Sequence, residues 1–148
     1  MHRHGTISTM TTRGAIHHVE LWAADLGAAE PSWDWLLTAL GYRRDKTWDA
    51  GRSWRLGEAY IVLESGPDVL PGGHERRRPG MNHLAFHAGT EREVEHLARE
   101  ALEHGWTLMF ADRHPHAGGP DHYAAYLENG DGFEVELVAV RPGSLGGA

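Results

Sequence analysis

The sequence contains no cysteine. That excludes disulfide cross-links and thiolate metal sites, and leaves side-chain nitrogen and oxygen as the donors for any bound ion. No apolar run approaches the roughly 20 positions of a membrane span, and the opening ten residues, MHRHGTISTM, lack the apolar core of a secretory signal. The expectation is a cytoplasmic protein with no membrane partner. Positive charge is also scarce: 14 Lys and Arg face 21 Asp and Glu, for a formal net charge of −7. Nucleic acid needs a clustered basic surface, so it is excluded as a partner. The one basic cluster, ERRRPG at Glu75 to Gly80, reads as a solvated linker or as a contact for a substrate anion or partner. Arginine outnumbers lysine thirteen to one, the bias of GC-rich coding and a hint of a bacterial source.

What is present is a domain-sized chain of 148 residues, 41% hydrophobic, that repeats itself. Met10 begins a second plausible start, so residues 1–14 are set aside as an N-terminal extension. From Ile16 to Trp22, Val19 and Leu21 alternate with His18, Glu20 and Trp22, the period of a strand. A helix follows, with Pro31 in its first turn, Trp33, Leu36, Leu37 and Leu40 at helical spacing, and Gly41 as its stop. Short strands fit Tyr42 to Trp48, Arg52 to Leu56 and Ala59 to Glu64. Beyond a Gly, Pro and Arg-rich linker the pattern restarts at MNHLAFH. A Thr90 and Glu93 capping box opens a second helix that Gly105 ends, and strands fit Thr107 to Asp112, His122 to Glu128 and Phe133 to Ala139. The expected organisation is one α+β domain over 15–139: module one at 15–65, a linker at 66–80 and module two at 81–139, with a C-terminal tail at 140–148. Each module is βαβββ, and two such units should pair into a cup-shaped, half-barrel mixed sheet with the helices outside.

Both halves carry a histidine early on the first strand and a glutamate on the last: His18 and Glu64, then His83 and Glu136. The match in spacing is kept by one insertion, the loop HPHAGGPD at His114 to Asp121. Alternation turns all four to the face away from the helices. Two imidazoles and two carboxylates suit one divalent transition ion (Ni, Zn, Co, Fe or Mn) better than Ca²⁺ or Mg²⁺.

In these same residues the sequence resembles the vicinal oxygen chelate superfamily, the glyoxalase, bleomycin resistance and dioxygenase group. IHHVELWAADL is similar to that family's first strand, with His18 at the ligand histidine. SWDWLLTALGY is similar to its helix, and YLENGDGFEVELV to its ending, with Glu136 at the ligand glutamate. The resemblance implies His18, Glu64, His83 and Glu136 as metal ligands, with Glu64 favouring the four-ligand glyoxalase I and epimerase branch. It further implies proton transfer by Glu64 and Glu136 on a small oxygenated substrate, and a homodimer whose cavity in some members combines modules from two chains. Two alternatives stay open. An extradiol-type Fe(II) dioxygenase would need only two histidines and one carboxylate, and a metal-free antibiotic-binding resistance protein would need no ligand set.

Residues expected near substrate are Trp22, Arg52, Trp54, Tyr60, His87, His116 and Tyr126, the side of the sheet being open for Arg52, Trp54 and Tyr60. His17 is expected to pack on the helix side. Glu20 and Glu134 share the inner face as outer-shell partners or rim residues, and His114, His116 and His122 form either a functional loop with a second metal site or plain surface.

Overall fold

The computed structural model describes residues 11–141. The first ten residues of the expected extension, and the tail after Arg141, lie outside the described residues. Module one contains β1 (His18–Trp22), α1 (Leu26–Ala39), β2 (Arg43–Trp48), β3 (Gly51–Leu56) and β4 (Ala59–Glu64). Module two contains β5 (His83–His87), α2 (Glu91–Ala101), β6 (Trp106–Met109), β7 (Ala124–Asn129) and β8 (Glu134–Val138). The class is α+β, and each module is βαβββ. Its strands form an open four-stranded mixed sheet, ordered β1-β4-β3-β2 in one and β5-β8-β7-β6 in the other. In each, the first and last strands of the module pair in parallel and the rest pair antiparallel.

Local chemistry explains where elements begin and end. Asp25, not the neighbourhood of Pro31, caps α1: its Oδ1 accepts from the Ala28 N–H at 3.3 Å, and Pro31 lies inside the helix. Gly41, at φ 98°, takes the left-handed turn that ends this helix, with Tyr42 N–H bonding back to the Leu37 carbonyl at 2.9 Å. The Thr90 and Glu93 capping box forms in both directions at the start of α2. Strand β6 stops at Met109, three residues short of the expected Asp112, because Phe110 adopts φ 54°, which no strand can continue.

The core is one cluster that crosses between modules. Helix α1 lies on the Leu21, Ile61 and Leu63 face of its own sheet, and its far side reaches module two. Trp33 meets Trp106 edge to face at 5.2 Å and Phe133 at 5.8 Å, and Trp106 Nε1 donates to the Ser32 carbonyl at 3.0 Å. Trp106 shares the helix side of the second sheet with Leu127, Val135 and Leu137, all fully buried. Helix α1 therefore covers the back of its own sheet and touches the edge strand β6 of the second, whose back is covered by α2. Among the described residues no strand pairing joins the two sheets; the helix side of each borders the shared core, and the other faces lie away from it.

The segment between β6 and β7 is tied down at its ends. His114 Nε2 bonds Glu95 of α2 at 2.7 Å, Tyr123 Oη donates to the same carboxylate oxygen at 2.8 Å, and Ala124 N–H bonds the Pro115 carbonyl at 3.0 Å. Burial first, then this bond to Glu95, pushes the Tyr123 phenol up to about 12.

Two stability predictions follow from this packing. Trp33 Nε1 is buried without a hydrogen-bond partner among the described residues, whereas Trp106 uses its own. Trp106→Phe should therefore cost about 1 kcal/mol more than Trp33→Phe in urea denaturation, and equal costs would mean the Ser32 bond contributes nothing. Because the folded phenol of Tyr123 titrates above its unfolded value near 10, its contribution is complete below about pH 10 and lost as pH rises toward about 12. Tyr123→Phe should lose roughly 1.5 kcal/mol at neutral pH and lack that part of the alkaline decline.

Candidate functional site

The chemistry gathers on the open face of module two. Parallel pairing of β5 with β8 sets His83 against Glu134 and Ala85 against Glu136, and antiparallel β7 sets Tyr126 against Glu136. Alternation puts all of these on the face away from α1 and α2. His83 Nε2 stands 3.1 Å from Glu136 Oε1. His122 Nε2 stands 2.5 Å from Glu136 Oε2. Glu134 and Glu136 are only 3% and 6% exposed, and buried carboxylates of this kind persist only with such partners. Glu134 has His83 Nδ1 at 3.3 Å and Arg76 of the ERRR linker at 3.8 Å. Burial still pushes its carboxyl above the usual range, Arg76 and then His83 offsetting part of the effect. Burial, then the Glu136 charge, raises the Tyr126 phenol as well.

Module one is not the mirror image that spacing suggested. Its register sets His18 against Tyr60, Glu20 against Val62 and Trp22 against Glu64. Laid over module two, His18 matches His83, but Val62 matches Glu136 and Glu64 matches Val138. The loop bonds agree: Ala23 N–H reaches the Glu64 carbonyl at 2.8 Å, and Ala88 N–H reaches the Val138 carbonyl at 2.8 Å. The insertion in module two is thus two residues longer than HPHAGGPD, and equating Glu64 with Glu136 overlooked those two. Glu64 instead accepts from Trp48 Nε1 at 3.2 Å and borders a shallow cavity with Trp22. The carboxylate nearest the level of Glu136 on module one is Glu20, across from Val62, with Trp22 Nε1 donating to it at 2.8 Å.

The remaining residues divide by face. Arg52 and Trp54 pair with Leu63 and Ile61 and so lie on the helix side, which corrects their expected place near substrate. Arg52 bonds Glu30 of α1 at 3.1 Å, and the fully buried Trp54 donates to Asp34 at 2.8 Å. Tyr60 lies on the open face, its ring stacked on His18 at 4.8 Å. His17, expected on the reverse, is exposed and turns its ring edge toward both. His87 and His116 do come together, with His122, in the wall of a cavity of about 730 Å³ between the inserted segment and α2. His114, His116 and His122 do not form a second metal site: His114 goes to Glu95, His116 to the His122 carbonyl at 3.2 Å, and His122 to Glu136. In the sequence His122 stands at the start of an expected strand and in a functional loop or plain surface; its parity with Tyr126 marks it for the open face, but its partner Glu136 went unread.

Among the described residues no three His, Asp or Glu side chains converge on one point to hold an ion. His18 and the His83 and Glu136 pair lie on open faces with the core between them. The donor set nonetheless fits a transition ion in halves. A nitrogen and an oxygen 3.1 Å apart have the separation of adjacent ligands at bonds of about 2.1 Å, and His18 would add a second imidazole only if the open face of module one met that of module two.

Comparison with known proteins places this geometry. A family model described as the glyoxalase/bleomycin resistance protein/dioxygenase superfamily matches residues 17–126. The chain is 39% identical over 125 residues to the uncharacterised protein YqjT of Bacillus subtilis, covering 84% of this chain and 98% of that one. It is 40% identical, at a TM-score of 0.82, to a crystal structure of a glyoxalase candidate from Bacillus halodurans, covering 86% and 97% of the two chains. The lactoylglutathione lyase of Agrobacterium tumefaciens, 23% identical at a TM-score of 0.60 over 93% of this chain and 100% of that one, shares the fold.

Proposed function

The chain belongs to the glyoxalase/bleomycin resistance protein/dioxygenase superfamily, and from that premise we propose that it is a metal-dependent enzyme of the glyoxalase I type. Its reaction is a lyase or isomerase step that moves a proton on a small oxygenated substrate. The observation that carries this reading is the pair His83 Nε2 and Glu136 Oε1 at 3.1 Å on a sheet face whose carboxylates are buried.

His83, Glu136 and His18 would hold the ion, one of Ni, Zn, Co, Fe or Mn. When bound, it supplies Lewis-acid polarisation of a substrate oxygen and so acidifies the neighbouring C–H. Glu136 is assigned to proton removal, since its carboxylate is oriented by His83 and His122. Glu20 is assigned to proton return, because the register sets it at the level of Glu136 where Glu64 does not stand. Tyr60, Trp22, His87, His116 and Tyr126 are assigned to the substrate walls.

The two faces that carry these groups look apart within one chain, so the working cup is assigned to a homodimer. Module one of one copy faces module two of the other, and each dimer holds two sites. One observation favours a second reading. With Val62 in place of a fourth ligand, two histidines and one carboxylate remain, the set of non-haem Fe(II) oxygenases. An Fe(II) dioxygenase would consume oxygen during turnover, whereas hemithioacetal isomerisation would not.

Metal content tests the ligand set. Parent protein purified without chelator should carry about one transition ion per chain, lost in His18→Ala and Glu136→Gln and kept in Glu64→Gln. A parent that stays empty and refuses all five ions would sink the enzyme reading and leave stoichiometric antibiotic binding without turnover. Subunit mixing tests the shared cup. Co-refolding His18→Ala with Glu136→Gln chains should restore metal to about a quarter of the sites, since each mixed dimer then has one intact site; a site built within one chain would regain none.

A further inference from the structure

We infer that His122 is the positioning residue for Glu136, supplied by an inserted segment that module two alone possesses. This rests on the metal-centre reading above and adds to it the origin of the carboxylate's orientation. Glu136 has its two oxygens divided: Oε1 faces His83 Nε2 at 3.1 Å and Oε2 faces His122 Nε2 at 2.5 Å. An ionised carboxylate only accepts, so His122 Nε2 carries the proton and donates. The bond occupies Oε2 and leaves Oε1 beside the other ligand.

The segment is built to hold that ring in place. His122 N–H bonds the Gly119 carbonyl at 3.2 Å, and the His122 carbonyl is met by His116 Nδ1 at 3.2 Å. A Cβ added at Gly118 would fall 2.5 Å from Tyr126 Oη and 2.8 Å from His122 Cδ2, so the backbone there rests directly on both groups. The ends of the segment are fixed to α2 through Glu95.

Two asymmetries between the modules coincide. Module one joins β2 to β3 by a tight turn, its Ala50 carbonyl receiving the Ser65 N–H at 2.8 Å just as the Tyr123 carbonyl receives Ala139 at 2.9 Å, and it has Val62 where Glu136 would be. Only the module with the carboxylate has the segment that holds it. Hydrogen-bond partners of metal ligands typically change metal affinity about 10- to 100-fold.

The test is Co²⁺ titration, following both affinity and the visible absorption of the bound ion, on the parent, His122→Ala, His122→Gln and Gly118→Ala. His122→Ala and Gly118→Ala should each weaken Co²⁺ about 10- to 100-fold and shift the absorption bands. His122→Gln, whose amide can still donate to Oε2, should stay within a few-fold of the parent. Melting temperatures near the parent's would confirm that the variants fold. A His122→Ala variant that binds like the parent overturns the inference while leaving the metal centre standing. A His122→Gln variant as impaired as His122→Ala overturns it in favour of direct ligation. A parent that takes no Co²⁺ overturns the metal centre itself, and this inference with it.

Discussion

Everything in this fold depends on α1 being apolar on two sides. Trp33, Leu36 and Leu37 are fully buried; the helix covers its own sheet while Trp33 also reaches Trp106 and Phe133 of module two. Fully burying a large apolar side chain contributes roughly 1.5–3 kcal/mol. The contacts of Trp33 with Trp106 and Phe133 thus make the two modules one cooperative body rather than two beads on a linker. Removing α1 would leave the back of the first sheet wet and uncover Trp106 on the edge strand of the second, which would keep only α2 with its buried Val94, Ala98 and Ala101.

The same constraint settles what the outer faces can be. A strand alternates its side chains, so once one face of each sheet is committed to its helix, the polar residues have only the other face to occupy. That is why His18, Glu20, His83, Glu134 and Glu136 share a parity with nothing of the core. It is also why the faces are unequal. Module two shelters its carboxylates under an inserted segment and a linker arginine, while the first strand of module one leaves His18, Glu20 and Trp22 exposed.

Much of this was legible in the sequence, because it rests on short-range signals. The alternation of VELW and LAFH, the Thr90 and Glu93 box and the glycines after each helix gave both modules, their order and the face of His18 and His83. The separation of the two faces was not legible. Periodicity says which residues turn from the helix, but not that α1 would also reach Trp106 and so join the backs of both sheets in one core. The position of Glu64 failed for a related reason. Counting between landmarks cannot tell an eight-residue insertion from a longer one when another glutamate happens to lie two residues away with the same parity. Only strand register makes that distinction. Arg52 and Trp54 were indeterminate for want of alternation in GRSWRL, where polar and aromatic residues occupy both faces and the bonds to Glu30 and Asp34 decide. The pairing of His122 with Glu136 was not legible because the two lie 14 residues apart and no pattern links them.

The division of the tryptophans between core and open face has an optical consequence. Trp33, Trp54 and Trp106 are sealed from water, whereas Trp22 and Trp48 are 46% and 36% exposed on or beside the face that carries Glu64. Intrinsic emission from this chain therefore combines a blue population reporting the integrity of the fold, a red, collisionally quenchable one reporting whatever comes to rest on module one, and the half-buried Trp35 stacked on His104. A ligand or a second chain arriving there would change one part of the spectrum and leave the other as its internal standard.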